Sequence, residues 1–176
     1  MKNQTCLVPV YAEETLGLNA IPLGVAEILS RKLGLQVDDR IVQAVKVGRT
    51  GQDGWYRLAN APFFVGEFES GANAILIDDT LTQGGTFASL KGHIEHQGGH
   101  VTGVYALTGK QYSRQLKLSS DTLINLRQRY GNIEPWWSRH FGYHFECLTE
   151  WEARYLLNSK KTANDIRNCI LAVQKA

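Results

Sequence analysis

Residues 74–86 read AILIDDTLTQGGT. Ala74–Ile77 is a run of four apolar residues, the pattern of a strand buried on both faces in a parallel sheet. Asp78 and Asp79 end the run. Thr82, Gly84, Gly85 and Thr86 then form a turn that leads into a helix over Thr86–Gln97, with Phe87, Leu90 and Ile94 on its buried stripe. A turn in this position lies at the carboxyl end of a parallel strand, where open α/β sheets bind ligands. Main-chain amides of a glycine-bearing turn ahead of a helix suit an anion, and the two threonine hydroxyls add donors. The two carboxylates would repel that anion and must serve another part of the ligand. They accept from sugar hydroxyls, or face a hard cation through water. A ligand with a 5-phosphate, vicinal hydroxyls and a Mg2+-bound group satisfies both halves.

Outward from this segment the chain alternates strands with helix-length stretches. Thr5–Val10 (TCLVPV) reads as a first strand and Tyr11–Asn19 (YAEETLGLN) as a polar loop. Ile21–Leu33 reads as a helix with Ile21, Val25, Ile28 and Leu29 on one face, Pro22 in its first turn and Gly34 closing it. Arg40–Val47 (RIVQAVKV) is a second strand, and Val101–Leu107 (VTGVYAL) a further one. Gly48–Gly71 reads as a long loop holding no more than a short hairpin, of the kind that serves as a mobile lid. The pattern predicts an α/β fold, a parallel sheet flanked by helices.

Beyond Ser119 the character is helical. Ser119 or Ser120 caps a helix running to Tyr130, and Thr149–Glu152 and Thr162–Asp165 have the form of capping boxes ahead of helices near 150–158 and 163–175. An aromatic-rich stretch, Trp136–Phe145, lies between. The expected organisation is an α/β core over residues 1–115 and a helical extension over 116–176 packed on the same domain.

Length and composition bound the rest. The chain has 176 residues, room for one globular domain, and a hydrophobic fraction of 43% supports a packed core. Nineteen basic against seventeen acidic residues, a formal charge of +2, is too mild a balance to predict nucleic-acid binding. No apolar run approaches the roughly 20 residues of a membrane span. The start MKNQTCLVPVYAEE has too short an apolar stretch for a signal peptide, and Cys6, Cys147 and Cys169 lack metal-ligand spacing. A soluble cytoplasmic protein is expected.

DDTLTQGGT after AILI resembles the phosphoribosyl pyrophosphate (PRPP) signature of the type I phosphoribosyltransferases. LVPVYAEETLGLN and VKVGRTGQ look like the ComF-type branch of that family, and the resemblance covers residues 5–110. It implies that Asp78 and Asp79 take the ribose hydroxyls and that Thr80, Thr82, Gln83, Gly84, Gly85 and Thr86 take the 5-phosphate. It also implies that Tyr11–Asn19 approaches the pyrophosphate, that Lys46 and Arg49 help neutralise it, and that Thr50 and Gln52 belong to the closing region. The implied reaction transfers the phosphoribosyl group to a nucleobase-like nitrogen acceptor with release of pyrophosphate. Mg2+ would be held mainly by PRPP, with Asp78 and Asp79 nearby through water. The alternative is a PRPP-sensing regulatory or partner-binding protein with little catalysis. Lys46 and Arg49 also fit solvated cations, and Arg57 a surface position.

Lys110 and the aromatics Trp136 and Trp137 are candidates for the acceptor. With Phe141 and Tyr143, the tryptophans equally fit the core of the extension or a contact within a homodimer. His93, His96 and His100 suggest a metal trio, but they lie off the buried stripe and read as a solvated face. Cys147, near His140 and His144, reads as a buried structural cysteine.

Overall fold

The computed structural model describes residues 4–11, 13–14, 17–18, 20–45 and 53–174. In chain order it has strands β1 (Thr5–Pro9), β2 (Glu13–Glu14) and β3 (Gly17–Leu18), helix α1 (Ala20–Leu33), then β4 (Gln36–Val37) and β5 (Val42–Val45). Helix α2 (Gly54–Ala59), β6 (Phe63–Val65), β7 (Asn73–Leu81), α3 (Gly85–His96) and β8 (His100–Gly109) follow. The rest is helical: α4 (Ser120–Tyr130), α5 (Glu134–Phe141), α6 (Glu150–Asn158) and α7 (Ala163–Val173). The chain forms two compact units. One comprises Met1–Val47, Pro62–Leu81 and Ser89–Gly109; the other comprises Gly48–Ala61, Thr82–Ala88 and Lys110–Ala176.

The first unit is built on a four-stranded parallel sheet in the order β4-β1-β7-β8. Leu7, Val8, Ala74, Leu76 and Ile77 are buried, which is why these short runs are continuously apolar rather than alternating. Helix α1 packs on β1 and β7. Its buried side is Pro22 and Ala26, with Val25 and Leu29 half-buried against Leu7 and Ile77. The expected stripe is therefore rotated: Ile21 and Ile28 are both 54% exposed. Gly34 closes the helix as its sequence position predicts, with φ +68° and its amide donating to Ser30 O at 2.8 Å.

Three expectations for this region are corrected. The second strand does not join the parallel sheet; β5 pairs antiparallel with β6, where Phe64 is buried and Phe63 exposed in the alternation of a half-buried strand. The stretch 48–71 is not one long loop, because it contains α2 and β6. Asp53 caps α2, its carboxylate accepting from the Tyr56 amide at 2.8 Å. The polar loop after β1 contains a small antiparallel hairpin, Glu13 opposite Leu18.

The second unit buries Trp137, Tyr130, Phe145, Leu126, Leu156, Ile166 and Ile170 in one core, to which α2 adds Leu58 and Ala59. Trp137 lies 4.5 Å from Phe141 and 5.4 Å from Phe145, centroid to centroid. The helix starts follow the sequence closely. Ser119 accepts from the Thr122 amide, and the capping boxes at Thr149–Glu152 and Thr162–Asp165 are both formed. Gly142, at φ +80°, ends α5. Cys147 is exposed rather than buried; the short helical turn that carries it buries Phe145 instead. No helix among the described residues is long and apolar enough to cross a membrane.

Candidate functional site

From β1 the chain passes through α1 to β4 on one side, and from β7 through α3 to β8 on the other. The connections after β1 and β7 therefore diverge, and the carboxyl ends of these two adjacent strands form a topological switch point, where parallel α/β sheets bind ligands. Beyond β1, Val10 continues the ladder by donating to Ile77 O at 2.7 Å, and the Gln43 amide donates to Tyr11 O at 2.7 Å.

On β7 the strand continues through the acidic pair to Leu81 instead of ending before it. Strand alternation sends Asp78 to the face of Leu76 and Thr80, and Asp79 to the face of Ile77. Asp78 is buried, 8% exposed, whereas Asp79 is half-buried. Burial, reinforced by the charge of Asp79, pushes the Asp78 carboxyl up to about 7, although the Asp79 amide donating to it works in the opposite direction. At neutral pH the Asp78 carboxyl is thus partly protonated. Thr80 is engaged with Thr108, hydroxyl to hydroxyl at 3.0 Å, and Thr108 also donates to Asp79 O. Thr108 has no sequence signal beyond its place in an apolar strand.

The turn Thr82–Gly84 belongs to the second unit. Ser113 Oγ donates to Thr82 O, and Thr149 Oγ1 donates to Gln83 O at 2.6 Å. Gly84 has φ +86°, and a Cβ there would come within 2.3 Å of Leu116 Cδ2. The backbone conformation favours glycine, and any larger residue would also force Leu116 to shift. Gly85 opens α3, and Thr86 lies in its first turn.

The remaining candidates are scattered. Lys46, Arg49, Thr50 and Gln52 lie outside the described residues. Lys110 is exposed at the start of a short helical turn, Gln111–Arg114. Trp136 is half-buried, stacked on His140 at 4.8 Å with the Arg167 guanidinium 5.5 Å from its ring centre. Trp137 has no exposed surface, so neither of its faces is open to a planar acceptor. His96 and His100 are exposed, as a solvated face predicts, whereas His93 is half-buried, its Nε2 2.9 Å from Gly66 O and 2.9 Å from Gln97 Nε2. Among the described residues no cluster of three or more His, Cys, Asp or Glu side chains is arranged to hold a metal.

The chain matches no known protein-family model. It is 39% identical over 169 residues to Protein TraN of Escherichia coli, covering 96% of this chain and 38% of that protein. It is 57% identical over 88 residues to an uncharacterized protein of Haemophilus influenzae, covering 50% of this chain and 20% of that one. The chain thus spans well under half the length of the curated relatives it matches. Among solved structures it is similar to an adenine phosphoribosyltransferase, with a TM-score of 0.42 at 16% identity over 65% of this chain and 61% of that one. It is also similar to the UMP synthase of Leishmania donovani, with a TM-score of 0.37 at 14% identity over 87% and 29% of the two chains. At TM-scores below 0.5 neither likeness bears on function. None of the four proteins carries a ComF-type name.

Proposed function

We propose that the continuous segment Asp78–Thr86 binds PRPP and that the protein is a phosphoribosyltransferase acting on a nucleobase-like nitrogen acceptor. One observation carries this reading. The half-buried Asp79 lies among the last three residues of β7, just past the end of its pairing with β1 at Ile77, and the chain runs on from it directly into TLTQGGT. In this reading Asp79 accepts from the ribose hydroxyls and faces the positive charge that develops at C1. Asp78, buried behind the strand end, shapes the charge of that position. The Thr82–Thr86 amides and hydroxyls hold the 5-phosphate. The C1–oxygen bond breaks as the acceptor nitrogen bonds to C1, pyrophosphate leaves with the electron pair, and the acceptor's proton passes to solvent. Lys46 and Arg49 neutralise the departing anion.

The donor set also suits Mg2+. A single half-buried carboxylate, without a cage of ligands among the described residues, fits an ion that arrives on the pyrophosphate and keeps several of its waters. Bound there, Mg2+ would neutralise charge on the pyrophosphate. The ComF-type affinity rests on LVPVYAEETLGLN, the helix ending KLGL and VKVGRTGQ alone.

A second reading, a PRPP sensor without turnover, is favoured by the burial of Asp78, which leaves that carboxyl partly protonated at neutral pH. Pyrophosphate release from PRPP and Mg2+, measured against a panel of purines and pyrimidines, separates the two. Release with one acceptor supports the enzyme; tight PRPP binding with no release for any acceptor supports the sensor.

A further inference from the structure

The geometry points to a role for the helical unit: we infer that Ser113 and Thr149 are positioning residues that hold the Thr82–Gly84 turn with its amides turned toward the phosphate. The inference rests on the PRPP reading for the identity of the ligand. In a trans peptide the C=O and the following N–H point in opposite directions. With Thr82 O bound by Ser113, the Gln83 N–H is directed away from Ser113. With Gln83 O bound by Thr149, the Gly84 N–H is directed away from Thr149. Each of two successive amides is thereby turned away from the hydroxyl that holds its own peptide carbonyl. Gly84, at φ +86°, is in the left-handed conformation found in turns whose successive amides bind anions.

The two hydroxyls are themselves fixed. Ser113 is fully buried and Thr149 is 4% exposed. Thr149 is the N-cap of α6, and Lys117 forms a bridge with it. The next residue, Glu150, is also fully buried, and its carboxylate accepts from the Ser119 amide at 2.8 Å, Thr122 Oγ1 at 2.8 Å and Arg154 Nε at 2.7 Å. Leu116, between the two donors, packs over Gly84. A polar network this fully satisfied is rigid, and the turn inherits its position from it.

The test uses the full chain and three variants. Ser113→Ala removes one donor and nothing else. Thr149→Val removes the other together with the helix cap, and Thr149→Ser keeps both. Titration calorimetry with PRPP and Mg2+ should show binding weakened about tenfold by Ser113→Ala and at least as much by Thr149→Val, with Thr149→Ser close to wild type. Independently of ligand, 15N order parameters at Gln83 and Gly84 should be near 0.85 in wild type and Thr149→Ser, and fall below about 0.6 in the other two variants. Unchanged order parameters at these two residues would overturn the inference whatever the affinities, and so would wild-type PRPP affinity in Ser113→Ala and Thr149→Val. Loss of order in the variants, with no PRPP bound by wild type, would uphold the positioning role and refute the PRPP reading.

Discussion

The main-chain N–H of Asp79 donates to the carboxylate Oδ1 of Asp78 at 2.8 Å. This bond ties together two neighbours that strand alternation sends to opposite faces of β7, one buried and one half-buried. Two adjacent aspartates that look equivalent in sequence therefore become chemically different groups.

The difference is measurable as a pH dependence of stability. Unfolded, Asp78 ionises near its ordinary value of 3.8; folded, burial holds its proton up to about 7. Between these values the native state binds the extra proton, so this group's contribution to stability declines as pH rises from about 4 to 7 and is flat above. Asn at this position does not titrate. The stability of Asp78→Asn relative to wild type should therefore rise over that interval, by up to ~1 kcal/mol per pH unit. Urea unfolding of both proteins at pH 5, 6, 7 and 8 checks it, and a constant difference would contradict the buried placement.

Gly84→Ala should destabilise the protein by roughly 1–2 kcal/mol for the left-handed backbone alone, and more for the collision with Leu116. The double variant with Leu116→Ala relieves the collision but not the backbone strain. Thermal unfolding should therefore show a smaller loss from Gly84→Ala in the Leu116→Ala background than in wild type, but not zero.

Glu150→Ala should cost about 3 kcal/mol, because it leaves the Ser119 amide and Thr122 hydroxyl without their buried acceptor. Burial would raise this carboxyl, but the Ser119 amide, the Thr122 hydroxyl and Arg154 outweigh it and hold it below its ordinary value. The stability it contributes is present above its unfolded value of 4.5 and lost as pH falls below that value. Glu150→Gln should accordingly flatten the acid limb of the stability profile, read by denaturant unfolding between pH 3 and 7.

Trp137→Ala should cost about 3–5 kcal/mol, since the ring is fully buried between Phe141 and Phe145. Trp136→Ala should cost less, about 1–2 kcal/mol, because its ring is only half-buried, meeting Phe141 at the core edge and His140 and Arg167 outside it. Equal losses in chemical denaturation would contradict the division between them.

What could be read in the sequence was local. The buried run Ala74–Ile77 and the caps at Ser119, Thr149 and Thr162 each depend on residues within one turn or one strand, and each appears in the structure. The β5–β6 pairing could not be read that way. Val42–Val45 has the same composition in a parallel as in an antiparallel sheet, and the choice is made by a partner twenty residues away. Trp136 and Trp137 differ by about 100° around α5, and only the packing of the other helices decides which is core. Ser113 is a lone serine donating to a main-chain carbonyl 31 residues away, a relationship with no periodicity to reveal it. In the candidate site the acidic pair and the turn stood out, but their unequal burial and the hydroxyls behind the turn arise from tertiary structure.

The most direct test of the central claim is calorimetric titration of the full chain with PRPP in the presence of Mg2+, for wild type and Asp79→Asn. The half-buried Asp79 carboxylate, as the proposed ribose acceptor, predicts saturable binding by wild type. It predicts at least a tenfold loss in Asp79→Asn with an unchanged thermal unfolding midpoint. Equal affinity in the two proteins, or no binding by wild type, would contradict it.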